Sequence, residues 1–162
     1  MRMNIRQAEM KDLEIVKSIT IRTIQTIYPR YYPLGAVGFF LSHHNEDHIM
    51  ADIESRRVYV LENEEDVFGT VTIKDFEICR LFVLPFYHGK GYGRLLLEFS
   101  EQLIAGQFNK IQLDSSLPAK EIYLKRGYKE IASHHIITEN GDYLCYDVME
   151  KKILKLSPKE AI

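Results

Sequence analysis

The spacing of apolar residues along the chain predicts a succession of helices and strands. Apolar positions recur at the helical period over residues 13–27 and 94–105, and less regularly over 37–55. Shorter stretches that alternate or are rich in β-branched residues predict strands over residues 4–7, 57–62, 67–73, 78–84, 110–113, 128–137 and 143–152. A further short helix is predicted over residues 118–126. This order is typical of an α+β fold, in which helices flank a mixed sheet.

Cap and turn residues agree with these boundaries. Asp12 is a suitable N-cap for the first helix, and Pro85 ends the strand over 78–84. Asn140-Gly141 is a hairpin signal between the last two strands. No repeat, low-complexity stretch or Gly/Ser linker interrupts the chain, so residues 1–162 are expected to form a single domain.

Composition narrows the class of protein. Hydrophobic residues make up 46% and charged residues 27%, which excludes a disordered or collagen-like chain. The net charge of −2 shows no basic excess, so no nucleic-acid partner is expected. No apolar run approaches the length of a membrane helix or a signal-peptide core, so no membrane partner is expected. Cys79 and Cys145 form no CxxC pair, which favours a cytoplasmic protein with reduced thiols.

A Gly-rich turn between a buried strand and a helix is the most informative segment. Residues 88–93 read His-Gly-Lys-Gly-Tyr-Gly and lead directly into the helix. The first N–H groups of a helix are free to bind an anion, and its macrodipole adds about half a positive charge there. The glycines let the backbone approach a bulky phosphate, and Lys90 and Arg94 add positive charge. The turn therefore predicts a pyrophosphate site.

Three known nucleotide-binding patterns compete for this turn. A P-loop requires Ser or Thr after its Gly-Lys pair, and Gly91 follows Lys90 here. A dinucleotide fingerprint reads GxGxxG, and Gly93 comes one residue too early for it. The third pattern is the acyl-CoA pyrophosphate loop of the Gcn5-related N-acetyltransferases, Gln/Arg-x-x-Gly-x-Gly/Ala. The chain matches it at every position except the first, where His88 stands and where the family mostly uses a backbone N–H.

The resemblance to this family extends well beyond the turn. Residues 81–85, Leu-Phe-Val-Leu-Pro, are similar to the Leu-Tyr-Val-x-Pro that introduces the loop in the family. Residues 119–128 resemble its second signature, Ala-x-x-Leu-Tyr-Glu-Lys-Leu-Gly-Phe, and residues 5–12 look like a common family start. Roughly residues 4 to 150 are covered, and the chain is identified as a member of the Gcn5-related N-acetyltransferase (GNAT) family.

This resemblance implies a fold and a cosubstrate. The fold is a largely antiparallel sheet with helices on both faces and a splayed pair of parallel strands near 81–83 and 111–113. The pantetheine arm of acetyl-CoA would enter the splay and pair with the backbone of Phe82 and Val83. Ser116 stands where the family often has a longer Asn. The residues expected to bind acetyl-CoA are Leu81, Phe82, Val83, His88, Gly89, Lys90, Gly91, Tyr92, Gly93, Arg94, Ser116 and Tyr123.

The resemblance also implies direct transfer of the acetyl group to a primary amine. A lysine-like amine with a pKa near 10.4 is neutral in only about one molecule in 2,500 at pH 7, so a general base is useful. Glu77 is the candidate base, because it stands as far upstream of the loop as the glutamate base of the histone-acetylating branch. Its alternative is an exposed turn carboxylate. Tyr123 is the candidate acid for the departing thiolate, and its alternative is an ordinary helix aromatic.

The acceptor is left open, as either a small-molecule amine or a peptide amine. The resemblance places its pocket among the first two helices, their connection and the last hairpin. Tyr28, Tyr31 and Tyr32 are the candidate acceptor-binding residues, since aromatic faces hold apolar bodies or cations. The histidines over residues 43–48 do not form an established metal-binding motif, so no metal is predicted.

Two further interpretations remain open. The apolar residues among the lysines of the C-terminal segment 151–159 are a candidate homodimer contact. A non-catalytic acyl-CoA-binding or sensing protein on the same fold is the alternative to an enzyme, and a small nucleotide-binding kinase is disfavoured by the missing Ser or Thr after Lys90.

Overall fold

Seven strands form one sheet in the computed structural model, which describes residues 2–154. The strands are β1 (Asn4–Gln7), β2 (Val58–Glu62), β3 (Val67–Lys74), β4 (Glu77–Val83), β5 (Lys110–Ser115), β6 (Lys129–Ile137) and β7 (Tyr143–Lys152). The helices are α1 (Leu13–Ile27), α2 (Leu34–His43), α3 (Glu46–Glu54), α4 (Tyr92–Ala105) and α5 (Lys120–Lys125). Every predicted element is present, with ends shifted by a few residues.

The sheet is mixed and mostly antiparallel, as predicted. Its strand order is β1-β2-β3-β4-β5-β7-β6, and only β4 and β5 pair in parallel. Alternate strand residues enter different cores. Leu61 and Val71 pack with Leu96 of α4, while Val58 and Val60 pack with residues of α1 and α3. Helices therefore cover both faces of the sheet.

β4 and β5 separate after a very short pairing. The parallel ladder joins only Glu77 with Gln112 and Ile78 with Leu113. On the other edge of β4, Ile78 pairs with Ile73 and Arg80 with Thr72, so Cys79 is an extra residue that forms a β-bulge. A bulge bends its strand and increases the local twist. The edge of β4 that faces β5 is thus left open, which confirms the splayed parallel pair.

Two local predictions are modified by tertiary contacts. Asp12 occupies the N-cap position of α1, but its carboxylate accepts two hydrogen bonds from Arg6 (2.8 and 2.9 Å) and one from the Glu9 N–H (2.8 Å). The irregular helical segment over 37–55 divides into α2 and α3. The division falls at His44 and Asn45, and the Asn45 side chain caps α3 by accepting from the His48 N–H (3.0 Å).

The last hairpin is tied to the start of α2. The Asp142 carboxylate accepts a hydrogen bond from the Gly35 N–H (2.9 Å) and another from the Asn140 side chain (2.9 Å). Within residues 2–154, no helix is long and apolar enough to cross a membrane. Residues 155–162, which include part of the predicted homodimer contact, lie outside the described residues.

Candidate active site

Two cavities meet where β4 and β5 separate. The larger, with a volume of about 490 Å³, extends from the gap between these strands to the start of α4. The smaller, with a volume of about 200 Å³, lies between the sheet and α2. Both are lined by Tyr28, Leu81, Phe82, Ser116, Ala119 and Tyr123. Molecules bound in the two cavities would therefore come into contact beside these residues.

The Gly-rich turn forms one end of the larger cavity. Gly89 and Gly91 have φ angles of +76° and +84°, which residues with side chains rarely adopt, and Gly91 is the N-cap of α4. The Leu95 N–H donates to the Gly91 carbonyl (3.1 Å) and so begins the hydrogen bonding of the helix. The first turn of α4 contains no acidic residue. The geometry thus suits an anion, as the sequence predicts.

Nearly all residues predicted to bind acetyl-CoA lie together around the larger cavity. The exception is Lys90, whose ammonium lies 5.5 Å from the ring centres of Phe86 and Tyr87 and outside the lining. Folding adds lining residues that carry no motif in the sequence, and these are Thr23, Ile27, Tyr87, Leu97 and Pro118. They belong to α1 and to the segments flanking the motifs, so only their position in space assigns them to the site.

The backbone around Val83 differs from the predicted pattern. The His88 N–H, expected to face the cosubstrate, donates to the Pro85 carbonyl (3.1 Å), while the His88 ring donates to the Val83 carbonyl (2.6 Å). The Leu84 N–H bonds to β3, and backbone groups alternate along a strand, so Phe82 also directs its backbone groups to β3. Leu81 and Val83, rather than Phe82 and Val83, direct theirs to the gap.

Tyr123 lies at the junction of the two cavities. It is on α5 and packs edge-on against Tyr128, with ring centres 5.6 Å apart. Burial raises the pKa of its phenol well above the usual value. Among the described residues its hydroxyl has no hydrogen-bond partner. The phenol is therefore protonated at neutral pH and free to donate.

Glu77 is not brought to this junction. It is the first residue of β4, is exposed, and lines neither cavity. Its register partners are Lys74 on β3 and Gln112 on β5, at the closed end of the strand pair. That Glu77 acts as the general base stays a prediction. Because Glu77 lines neither cavity, the structure gives it no direct contact with a substrate bound in either one.

The three candidate acceptor-binding tyrosines occupy different positions. Tyr28 lines both cavities, and burial raises the pKa of its phenol while the nearby Ser116 hydroxyl lowers it. Tyr31 lines only the larger cavity. Tyr32 lines neither, because it is buried and its hydroxyl accepts from the Leu117 N–H (2.7 Å). Tyr32 thus holds the segment between β5 and α5 in place.

The smaller cavity is bordered by several ionisable groups that the sequence does not mark. Arg80 on β4 donates to Asp52 of α3 and to Thr72, and burial lowers the pKa of its guanidinium to about 10. Asp114 on β5 and His44 at the end of α2 also line this cavity. Within residues 2–154, no three His, Cys, Asp or Glu side chains come together as a metal site.

Comparison with solved structures places this geometry in a known fold. A GCN5-related N-acetyltransferase from Rhodopseudomonas palustris is 22% identical and superposes with a TM-score of 0.84 over 94% of this chain and 99% of that one. The PaiA N-acetyltransferase from Thermoplasma acidophilum, solved with coenzyme A, is 19% identical with a TM-score of 0.71, covering 94% of this chain and 99% of its own. At these identities, the likeness shows the fold alone.

Comparison of the sequence identifies the family. The tRNA uridine(34) acetyltransferase of Methanocaldococcus jannaschii is 27% identical over 126 residues, covering 70% of this chain and 23% of that protein. The chain therefore spans about a quarter of the length of this curated relative. Residues 27–147 match the family model described as an acetyltransferase (GNAT) domain. With the match covering most of its length, the chain belongs to the GNAT acetyltransferase family.

Proposed function

We propose that this protein is an acetyl-CoA-dependent N-acetyltransferase that acetylates a primary amine. The observation that carries the proposal is the continuity of the site. A glycine turn suited to a pyrophosphate leads into a gap beside β4, and this gap reaches a second cavity at Tyr123. A long cosubstrate fits the first part and a separate acceptor fits the second, which suits direct transfer in a ternary complex.

Each part of the proposed reaction has a named group in this chain. The N–H groups at the start of α4 bind the pyrophosphate. The open edge of β4 offers the Leu81 backbone and the Val83 N–H to the pantetheine arm, because the Val83 carbonyl already accepts from His88 and Thr23. The amine nitrogen attacks the thioester carbonyl carbon, so a C–N bond forms and the C–S bond breaks. Tyr123 donates its phenolic proton to the departing thiolate. No covalent enzyme intermediate is needed.

The nature of the acceptor does not follow from the relatives. The tRNA substrate named for the Methanocaldococcus protein belongs to a chain of which this one spans 23%, and we do not extend it to this protein. Because the net charge of −2 provides no general attraction for a polyanion, we propose a small or peptide amine as the acceptor class.

Thermal unfolding with and without acetyl-CoA tests the proposal. Acetyl-CoA at 100 times its Kd adds about 2.7 kcal/mol to the free energy of unfolding, which raises the Tm by roughly 5–10 °C. We expect this shift with acetyl-CoA and none with ATP. A shift without acetyl transfer to any primary amine would instead support the non-catalytic acyl-CoA-binding alternative.

A matched pair of glycine variants tests the position of the site. Gly91 and Gly141 have similar φ angles, +84° and +85°, and a Cβ added at either would meet no atom within 4 Å. Gly91→Glu and Gly141→Glu therefore introduce comparable backbone strain and the same charge. We expect only Gly91→Glu to abolish the shift with acetyl-CoA. Loss of the shift in both variants, or in neither, would contradict the assignment of the turn.

A further inference from the structure

A single carboxylate borders the cavities at which the two substrates meet. Asp114 lies on β5, one residue beyond the last parallel pair with β4 and two residues before Ser116. Among the described residues that line either cavity, no other is acidic. Two strand residues span about 6.6 Å, so Asp114 is close to the junction at which acetyl transfer is proposed.

The Asp114 carboxylate has no partner among residues 2–154. No hydrogen bond or ion pair joins it to another side chain, and its ionisable neighbours are His43 of α2, Cys79 of β4 and His134 of β6. Burial lowers the pKa of His43 and so favours its neutral form. Arg80 borders the same cavity, but its guanidinium is already bonded to Asp52. The cavity thus presents an unpaired carboxylate whose negative charge a bound cation would neutralise.

The rest of the cavity wall combines apolar with polar surface and offers no second carboxylate within residues 2–154. Most of the residues around Asp114 are aromatic or aliphatic, and they include Tyr28, Phe39, Phe40, Ile136, Leu144 and Tyr146. The cavity volume of about 200 Å³ is below the roughly 300–1,000 Å³ of common ligand pockets. One carboxylate can neutralise one ammonium, and no other acidic residue among those described lines either cavity, so a polyamine would leave its other charges unpaired.

We propose that Asp114 binds the ammonium of a small primary monoamine with an apolar body and accepts its proton. The proposal rests on the proposed acetyl transfer. The attacking nitrogen loses two protons in all. The first passes to the Asp114 carboxylate, directly or through one water, and frees the lone pair that forms the C–N bond. The second leaves to water as the tetrahedral intermediate collapses to the amide. The C–S bond breaks as Tyr123 protonates the thiolate. Asp114 then releases its proton to solvent, and the phenolate of Tyr123 is reprotonated from solvent.

Asp114 differs from Glu77 in position and not in exposure, because both residues are exposed and only Asp114 borders a cavity. The surroundings of Asp114 raise the pKa of its carboxyl above the ordinary value, which makes it a better proton acceptor than a fully solvated carboxylate. Glu77 has no comparable position, because it lines neither cavity. Asp114 and Glu77 are therefore competing candidates for the same role, and the position of Asp114 favours it.

Two probes of similar shape and different charge test the anchor. The protein loaded with CoA is titrated with 2-phenylethylamine and with neutral 2-phenylethanol. We expect the amine to bind at least tenfold more tightly, and Asp114→Asn to remove this preference, since hydrogen bonds to charged groups correspond to roughly 10- to 100-fold in affinity. Asp75→Asn is the matched control, because Asp75 is exposed in the turn between β3 and β4.

Turnover tests the proton-accepting role. With acetyl-CoA, we expect kcat/KM for 2-phenylethylamine to exceed that for spermidine and for a peptide with a free N-terminus. Asp114→Asn should lower kcat as well as amine affinity. Unchanged kcat in this variant, or loss of kcat in Glu77→Gln alone, would overturn the base role. Preference for spermidine would overturn the monoamine class.

The two proposals fail in different ways. If CoA does not bind, the proposed function is wrong and this inference falls with it. If CoA binds and acetyl transfer occurs, but the preference for the amine over the alcohol survives in Asp114→Asn, only the role of Asp114 is overturned. Retention of CoA affinity by Asp114→Asn shows that the variant is folded and that any loss concerns the amine.

Discussion

Tyr123 keeps its phenolic proton at neutral pH because the protein around it excludes water. Burial raises its pKa, and the nearby Tyr28 phenol adds to the rise. The raised pKa makes this phenol a weaker acid than a solvated one, but it keeps the proton in place for transfer. The departing thiolate is a stronger base in the cavity for the same reason, because burial also disfavours its charge. At the scale of single residues, the environment therefore keeps Tyr123 in the protonated form that proton donation requires.

Replacing this hydroxyl should lower the rate of acetyl transfer without changing the affinity for acetyl-CoA. We expect Tyr123→Phe to lower kcat by about 100-fold, the lower end of typical general acid–base effects, and to leave the Kd for acetyl-CoA within about twofold. Steady-state kinetics and calorimetry measure the two quantities. Tyr143→Phe is the control, because Tyr143 is exposed and lines neither cavity. An unchanged kcat in Tyr123→Phe would remove the acid role.

At the scale of elements, the smaller cavity depends on how α2 meets the β6–β7 hairpin. Phe39 and Phe40 of α2 form one wall, and Leu144 and Tyr146 of β7 form another. The two elements are joined where the Gly35 N–H donates to Asp142 (2.9 Å). A side chain at Gly35 would place its Cβ 1.9 Å from Asn140 Oδ1 and 2.5 Å from Thr138 Oγ1. A larger residue would force the Asn140 and Thr138 side chains, which are hydrogen-bonded to each other (2.6 Å), to move.

A pair of glycine substitutions within α2 tests this contact. Gly35→Ala should force the hairpin away and lower the free energy of unfolding by about 1–3 kcal/mol. Gly38→Ala should raise it by about 0.5–1 kcal/mol, since no atom lies within 4 Å of the added Cβ and alanine favours a helix. Urea unfolding measures both.

The same pair should differ in function. Gly35→Ala displaces one wall of the acceptor cavity, so we expect weaker amine binding with unchanged acetyl-CoA affinity, whereas Gly38→Ala should alter neither. Equal free energies of unfolding in the two variants would show that the hairpin moves without loss of stability, and would contradict the proposed role of the contact.

At the scale of the whole molecule, packing of the α1–α3 layer on the sheet keeps one histidine neutral. His44 lies at the end of α2 beside Phe82, and its Nδ1 is buried without a hydrogen-bond partner among the described residues. Burial lowers its pKa to about 3, with smaller contributions from Arg80, His43 and His48. The folded protein thus binds fewer protons than the unfolded chain between about pH 6.5 and pH 3, so its stability falls as pH falls through that range.

This titration predicts a pH dependence of stability. Between pH 7.5 and pH 5, protonation of His44 in the unfolded chain should lower the free energy of unfolding by about 2 kcal/mol. His44→Phe should remove this part of the decrease, and His135→Gln, at an exposed position, should not. Urea unfolding of the wild type and of each variant at the two pH values gives the change in the free energy of unfolding with pH. Subtracting the change in a variant from that in the wild type cancels the contributions of the groups they share. An identical decrease in wild type and His44→Phe would exclude His44 as the cause.

The order of elements and the anion-binding turn follow from local properties of the chain. Helical and strand periodicity predict every strand and all helices except the division of one irregular segment into α2 and α3, because the spacing of apolar residues shows which face of an element is buried. Glycines at 89, 91 and 93 predict the turn, since its backbone conformation and its access to an anion depend on their lack of side chains. The signature around Tyr123 likewise predicts a residue that the fold brings to the junction of the cavities.

The acceptor side depends on contacts between residues far apart in sequence. Asp114 carries no motif, and its importance comes from the separation of β4 and β5 and from the helix and hairpin that surround it. The same separation leaves Glu77 at the closed end of the strand pair, and packing turns Tyr32 into a buried tether. Local sequence specifies which elements form, whereas burial, charge pairing and cavity shape are properties of the packed chain, so the acceptor site emerges only from the fold.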